Sequence, residues 1–406
     1  MEEKREEFCM MRTKRIMCAL LLFVFVFATV STVGAANPKP TVASWTFMVY
    51  MTADNNLDAW AYESLSYMEE VGSTGEVNVV VLWDGYYAPA YMYKVVYGGH
   101  ELVRGFPLNG KEVNMGDSYT LKSFVDFATK KFKAQHYLLD LWDHGDDFTG
   151  SCWDEHPADY LTHDEVVAAL AGYPIDILAY DACLEGMIEV AYEYNARDLE
   201  IDYLVACENY VSLYGFPYDW ILDALTKNPT MSALDFAKVI VAEYAEFYVP
   251  RAHFNGGVMA TLSVIDISMV DEAVKELADL TAVLGANMEA YHDLISKARG
   301  EGNLPWAEYG WEYYIDLPSF ARYLEANAAD ESVIQLAGKL LSTLLDDVIK
   351  AVGNTKPMYS VGALGLGIWF PPSDAPYWTQ KGLLTYKTLQ FASEGWLDFL
   401  YAYWNN

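Results

Sequence analysis

Cysteine and histidine are scarce in this chain, with five of the first and seven of the second in 406 residues. So few cysteines exclude a disulfide-stapled scaffold. Beyond residue 36 only Cys152, Cys183 and Cys207 remain, and three thiols cannot all pair. Positive charge is short as well: 26 lysines and arginines face 57 aspartates and glutamates, for a net charge of −31. A surface of that sign repels nucleic acid and excludes it as a partner, whereas cationic ligands such as basic peptides are attracted. Past residue 36 no uncharged run is long enough to cross a bilayer, and neither repeats nor low-complexity linkers occur.

What is present begins with a leader pattern. Lys4, Arg5, Arg12, Lys14 and Arg15 precede the uncharged run 16–30, and small residues follow up to Ala36. This order predicts a signal peptide over 1–36, cleaved near Ala36, and therefore an exported protein. Left uncleaved, the same run would be a membrane anchor.

The remainder alternates strand-like and helix-like segments. Strands are predicted at 45–51, 77–83, 91–97, 136–143, 175–182, 201–206 and 363–369 from short apolar runs bounded by polar residues. Asp54 is expected to cap a helix running to about Glu70, and Thr162 and Glu165 have capping-box spacing for a helix to Ala171. Further helices are expected at 119–133, from about Glu185 to Tyr194, and at 231–249, 270–299, 317–326, 331–352 and 386–403. Strands interleaved with helices imply an α/β fold with a mostly parallel twisted sheet covered on both faces. Residues 37–270 carry that unit, and 271–406 form a mainly helical region packed on it, closing with a strand and a helix.

Two strand ends hold the residues of interest. His144-Gly145 closes one buried run, and Cys183 closes another after Asp181-Ala182. Open α/β sheets place their chemistry beyond the carboxyl ends of such strands. A thiol and an imidazole delivered there can serve as nucleophile and base. A helix beginning at Cys183 would lower its pKa through the dipole and free N–H groups. Gly145, lacking a side chain, can bring its N–H up to a substrate carbonyl and share an oxyanion hole with the Cys183 N–H. The plainer alternative is a buried cysteine and a satisfied core histidine. Cys152, His156 and His163 match no closed zinc pattern, so no metal site is assigned. Cys207 reads as a small core residue. Asp143, Asp146, Asp147, Asp154 and Glu155 suit calcium chemically but form no ordered ligand loop, and a solvated acidic loop is expected there. No cofactor is required; Ca2+ is compatible.

These segments resemble the clostripain family of cysteine peptidases, within the caspase-like superfamily. The matching pieces are residues 45–57, Asp143-His144-Gly145, residues 180–186 around Asp181-Ala182-Cys183, 208–218, 262–266, 314–317 and 365–371. The resemblance implies a caspase-like three-layer sandwich, a His144–Cys183 dyad, and cleavage of peptides after arginine or lysine. It also places Asp181 at the base of the specificity pocket, where a desolvated cation needs an anion. Asp181 is alternatively a cap beside Cys183, and Glu208 is a candidate second acidic wall. Asp143 becomes a local hydrogen-bonding residue. One departure stands out. Relatives are often matured by self-cleavage between histidine and cysteine, yet residues 145–182 contain neither lysine nor arginine. The competing function is a non-catalytic peptide-binding or cell-surface protein on the same scaffold.

Overall fold

The computed structural model describes residues 42–248, 260–301, 313–355, 363–374 and 377–406. The leader expected at 1–36, with Cys9 and Cys18, lies outside the described residues. Among those described, no helix is long and apolar enough to cross a membrane.

The first strand, β1 (Ala43–Ala53), is buried along its whole length. Its alternation divides the core. Trp45, Phe47, Val49 and Met51 join one hydrophobic cluster, while Met48 and Tyr50 join another on the opposite face. A strand buried on both faces is what a parallel sheet with two helical layers requires. On the first face lie α1 (Asp58–Glu69), α5 (Tyr218–Lys227) and α6 (Ala233–Tyr248), whose apolar residues complete that cluster. The second face carries α2 (Ser118–Lys131), α3 (His163–Leu170), α4 (Ile188–Asn195) and α7 (Val270–Ala286).

The main sheet has nine strands. β1 pairs in parallel with β2 (Val77–Gly85) on one side and β5 (Ala134–Trp142) on the other. Beyond β5 lie β8 (Ile175–Asp181) and β9 (Ile201–Ala206), both parallel. β3 (Ala88–Val96) and β4 (Gly99–Leu102) extend the β2 edge in antiparallel sense. At the other edge, β10 (Thr261–Asp266) and β12 (Ile349–Asn354) are also antiparallel. β6 (Ser151–Asp154) and β7 (Asp159–Leu161) form a separate hairpin. Because successive strands leave β1 in opposite directions, the chain reverses between β1 and β5. Ligand crevices open at such a point.

Several expectations need adjusting. Asp54 caps no helix: α1 starts at Asp58 behind Leu57, and the Asp54 side chain is buried. Helix α4 starts at Ile188, not near Glu185. The helix expected over 331–352 ends early. α10 (Glu331–Ser342) passes through a π turn at Thr343–Val348 into β12, which joins the main sheet. Residues 42–406 accordingly make one compact unit, with chain from beyond residue 270 forming a sheet edge. The remaining elements are α8 (Met288–Glu301), α9 (Leu317–Asn327), α11 (Tyr377–Tyr386), α12 (Trp396–Trp404), and a small sheet of β11 (Tyr314–Asp316) with β13 (Gly367–Trp369). The Thr162–Glu165 capping box is present at the start of α3.

Candidate active site

β5 and β8 are neighbours in register, with Trp142 opposite Asp181. The residues just past their ends therefore emerge side by side. A cavity of about 590 Å3 opens there, lined by His144, Gly145, Asp181 and Cys183 together with Trp60, Trp142 and the 210–215 segment. Four of the five expected site residues thus share one cavity.

The approach of the two strand ends is close. A Cβ added to Gly145 would lie 2.2 Å from the Cys183 carbonyl oxygen and 3.1 Å from the Cys183 nitrogen. Only glycine fits. Neither the Gly145 nor the Cys183 N–H donates to a backbone acceptor among the described residues. The residue after the cysteine, Leu184, has φ 67. That left-handed conformation costs a non-glycine residue about 1–2 kcal/mol, so the turn at the cysteine is strained. Its N–H is held by the Asn209 carbonyl at 2.9 Å.

The thiol itself is not primed by a helix. α4 begins five residues past Cys183, so the expected helix-terminus activation is absent. Burial pushes the Cys183 thiol up to about 12, opposed by the Val211 N–H, which donates to Sγ at 3.3 Å. His144 is exposed, and partial desolvation holds its pKa below the usual imidazole value. Its Nε2 lies 2.8 Å from Oδ1 of Asn56, at the end of β1. The adjacent Asn55 donates through Nδ2 to Asp143 Oδ1 at 2.8 Å and to the Trp153 carbonyl at 2.7 Å. Asn55 and Asn56 were legible only as part of a matching segment; the signal for a role is two amides at a strand end beside the switch point. A neutral imidazole and a protonated thiol lining one cavity have the chemistry of a base and a nucleophile when a carbonyl arrives.

Asp181 forms the floor. Its Oδ2 accepts from the Phe216 N–H and the Tyr218 hydroxyl, each at 2.9 Å, while Oδ1 has no partner although the residue is 4% exposed. The Tyr218 hydroxyl also lies 2.6 Å from Oδ2 of Asp140. One hydroxyl hydrogen cannot serve two carboxylates, so a proton resides on the pair. Asp140 is fully buried and is pushed well above the carboxylate range, first by burial and then by the charge of Asp181. Asp140, the more strongly raised of the two, is the natural holder of that proton. Burial raises Asp181 to about 7. Gly215, at φ 58, lets the chain close over Asp181, since a Cβ there would sit 2.5 Å from Oδ2.

Glu208 requires correction, because it is not on the cavity wall. It is buried past β9, accepting the Gly365 N–H at 3.0 Å and lying against Asp316. The acidic stretch is not simply a solvated loop either. Asp143, Asp147 and Asp154 are buried: Asp147 accepts from the Thr149 N–H and the Tyr314 hydroxyl, and Asp154 from the Met115 N–H. Cys152, His156 and His163 are not gathered together. Cys152 is buried, His163 is enclosed by Tyr194 and the Asp147 carbonyl, and His156 pairs with Asp54. Cys207 is buried, its Sγ bonded to the Asn209 backbone.

Known proteins share this plan. The chain is 27% identical to clostripain of Hathewaya histolytica over 402 residues, covering 82% of this chain and 76% of the relative. The fold matches a secreted C11 cysteine protease of Bacteroides thetaiotaomicron, solved with an irreversible peptide inhibitor, at TM-score 0.66 and 17% identity, covering 87% of this chain and 99% of that one. It also matches an inactive zymogen C11 protease of Parabacteroides distasonis at TM-score 0.62 and 19% identity, covering 88% and 99%. Both support the caspase-like architecture. The model of the clostripain family spans residues 49–401, and the chain is a member of that family of cysteine peptidases.

Proposed function

We propose that this peptidase is exported and cuts peptide bonds after arginine or lysine, with Cys183 as nucleophile and His144 as general base. The observation that carries the reading is the partnerless Oδ1 of Asp181 in the cavity that also holds the thiol. A buried, unsatisfied carboxylate oxygen is costly, and a guanidinium or ammonium group entering the cavity removes the cost.

As the scissile carbonyl reaches Cys183, His144 takes the thiol proton and sulfur bonds to carbon. The developing oxyanion is met by the N–H groups of Gly145 and Cys183, a pair of donors of the kind worth 10²–10³ in rate each. His144 then protonates the departing amine, leaving a thioester. Water, deprotonated by His144, releases the acid and restores the thiol. Residues 1–36 support export, through their basic start, apolar run and small residues near Ala36. The acid surface supports basic substrates.

The test uses reporter peptides ending in arginine, lysine or a neutral residue under reducing conditions. Turnover restricted to the basic peptides and lost in Cys183→Ala is expected. Equal turnover by that variant removes the nucleophile assignment.

A further inference from the structure

A second cavity, of about 440 Å3, adjoins the first. Among their lining residues the two share only His144 and Gly145. Asp181 and Cys183 line the first and not the second, so His144-Gly145 is the partition between them. The walls of the second cavity are aromatic. The chain that follows Gly145 contributes Phe148, Trp153 and Tyr160, and the C-terminal chain contributes Tyr313, Tyr314 and Trp369. Trp153 stacks on Tyr160 with centroids 6.3 Å apart, and Phe148 meets Trp369 edge-on at 5.5 Å. The Tyr314 hydroxyl is bonded to Asp147, so the two walls hold each other and the cavity is preformed. Gly382 of α11 closes one side. A Cβ there would lie 3.4 Å from Cζ2 of Trp369 and 3.7 Å from Cζ of Phe148, so a longer side chain would take up the space that glycine leaves.

The charges differ from those of the first cavity. Asp146 and Lys381 both line this one; burial raises the Asp146 carboxyl and the Lys381 charge opposes the rise. Asp147 is raised well above the carboxylate range by burial and then by Asp146. Opposite charges at the wall leave little net sign to select an ionised occupant. Thr379 also lines the cavity, is 1% exposed, and its hydroxyl has no hydrogen-bond partner among the described residues. A phenol or an indole N–H would give that oxygen the bond it lacks.

In the mechanism proposed above, the arginine or lysine side chain is committed to Asp181, and the departing amine must lie within reach of His144 to take its proton. The chain on the amine side of the scissile bond therefore leaves across His144-Gly145, where the second cavity opens. We propose that this cavity binds the residue immediately after the cut bond and selects an aromatic side chain there. The assignment rests on the peptidase reading and adds to it a second determinant of specificity, built partly from the C-terminal chain. Aromatic rings gain edge and face contacts with such walls beyond the area they bury.

The experiment uses the full-length enzyme under reducing conditions. Internally quenched peptides carry arginine before the cut bond and phenylalanine, tyrosine, tryptophan, alanine, glycine or aspartate after it. An arginine methyl ester, whose leaving group is too small to fill the cavity, is assayed beside them. The aromatic peptides should exceed the alanine peptide in kcat/KM by about 10-fold or more, the discrimination expected of an apolar pocket. Gly382→Leu, which fills the cavity from a helix that tolerates leucine, should bring that ratio towards parity. Trp153→Ala, which removes a wall residue already 37% exposed, should do the same. The ratio is taken within each variant, so a lower folded fraction cancels. Equal kcat/KM across the series in the parent enzyme, or an aromatic preference undiminished in both variants, would overturn the subsite while ester hydrolysis continues. If neither the peptides nor the ester is turned over, the peptidase reading falls and the subsite with it.

Discussion

Oδ1 of Asn56 sits 2.8 Å from Nε2 of His144. An amide oxygen can only accept, so Nε2 carries the hydrogen and Nδ1 keeps the lone pair. In the proposed mechanism Asn56 is a positioning residue that selects which nitrogen of His144 receives the thiol proton. Asn56→Ala should lower kcat on the order of 10²-fold with KM little changed, the cost of a misplaced base. Asn56→Asp keeps the acceptor and should restore most of kcat while moving the acid limb of the pH profile upward. A fall confined to KM would argue against this role.

The high thiol pKa makes a kinetic statement. With Cys183 pushed up to about 12 and His144 held below its ordinary value, the resting pair is thiol and neutral imidazole at pH 7. Inactivation of free enzyme by iodoacetamide should therefore be slow at neutral pH and keep rising into the alkaline range. A rate plateau already reached at pH 6 would instead reveal a thiolate–imidazolium pair.

Asp181→Asn should retain the fold, because an amide oxygen still accepts from Phe216 and Tyr218. It should cost about 3–5 kcal/mol of transition-state binding for arginine peptides and little for neutral ones, since a desolvated cation loses its counter-charge. Comparing kcat/KM across the peptide set checks this. Tyr218→Phe tests the floor more gently, removing the hydroxyl that lies between Asp140 and Asp181. About 1–3 kcal/mol of stability should be lost, measured by denaturant unfolding.

Gly145→Ala tests the contact between the two strand ends. With 2.2 Å to the Cys183 carbonyl, a methyl group must push the turn apart. Turnover should fall at least 10²-fold and stability by about 1–3 kcal/mol. Unchanged kinetics would remove the Gly145 N–H from the oxyanion site.

Stability should decline as pH rises. Glu189 is fully buried, its Oε1 accepting from the Trp369 N–H and the Tyr386 hydroxyl, and burial raises it to about 7. A carboxyl raised in the folded state binds its proton more tightly there than in the unfolded chain. Its contribution is full below the unfolded value near 4.5 and is lost as pH climbs through 7, at most roughly 3 kcal/mol. Glu208, raised by burial and by the neighbouring Asp316, and Asp316, raised by burial, act in the same direction. Thermal unfolding between pH 5 and 7.5 should show Tm falling, with a shallower slope in Glu189→Gln.

The parallel centre of the sheet was readable because β1, β5, β8 and β9 are short, predominantly apolar runs bounded by polar or turn-forming residues. His144 and Cys183 followed from that, since strand ends fix where side chains emerge. Side-chain destinations were less legible. Glu208 and Asp181 both follow buried strands and look alike in sequence, yet one faces Gly365 and Asp316 while the other meets the cavity. Only the fold of the 210–215 segment and the C-terminal chain separates them. Asp54 looked like a helix cap because capping residues and strand-end carboxylates share a composition. β12 was hidden inside a helical pattern, since Ile349–Asn354 is too short to show a period of its own.

That last strand governs how the molecule can be cut. A fragment ending after β10 would present the row of unpaired N–H and C=O groups that β12 normally covers, and open edges of that kind recruit other chains. Truncation to the half that bears the thiol should therefore yield aggregates rather than a smaller enzyme. During synthesis, too, the sheet stays unfinished until Asn354 has left the ribosome.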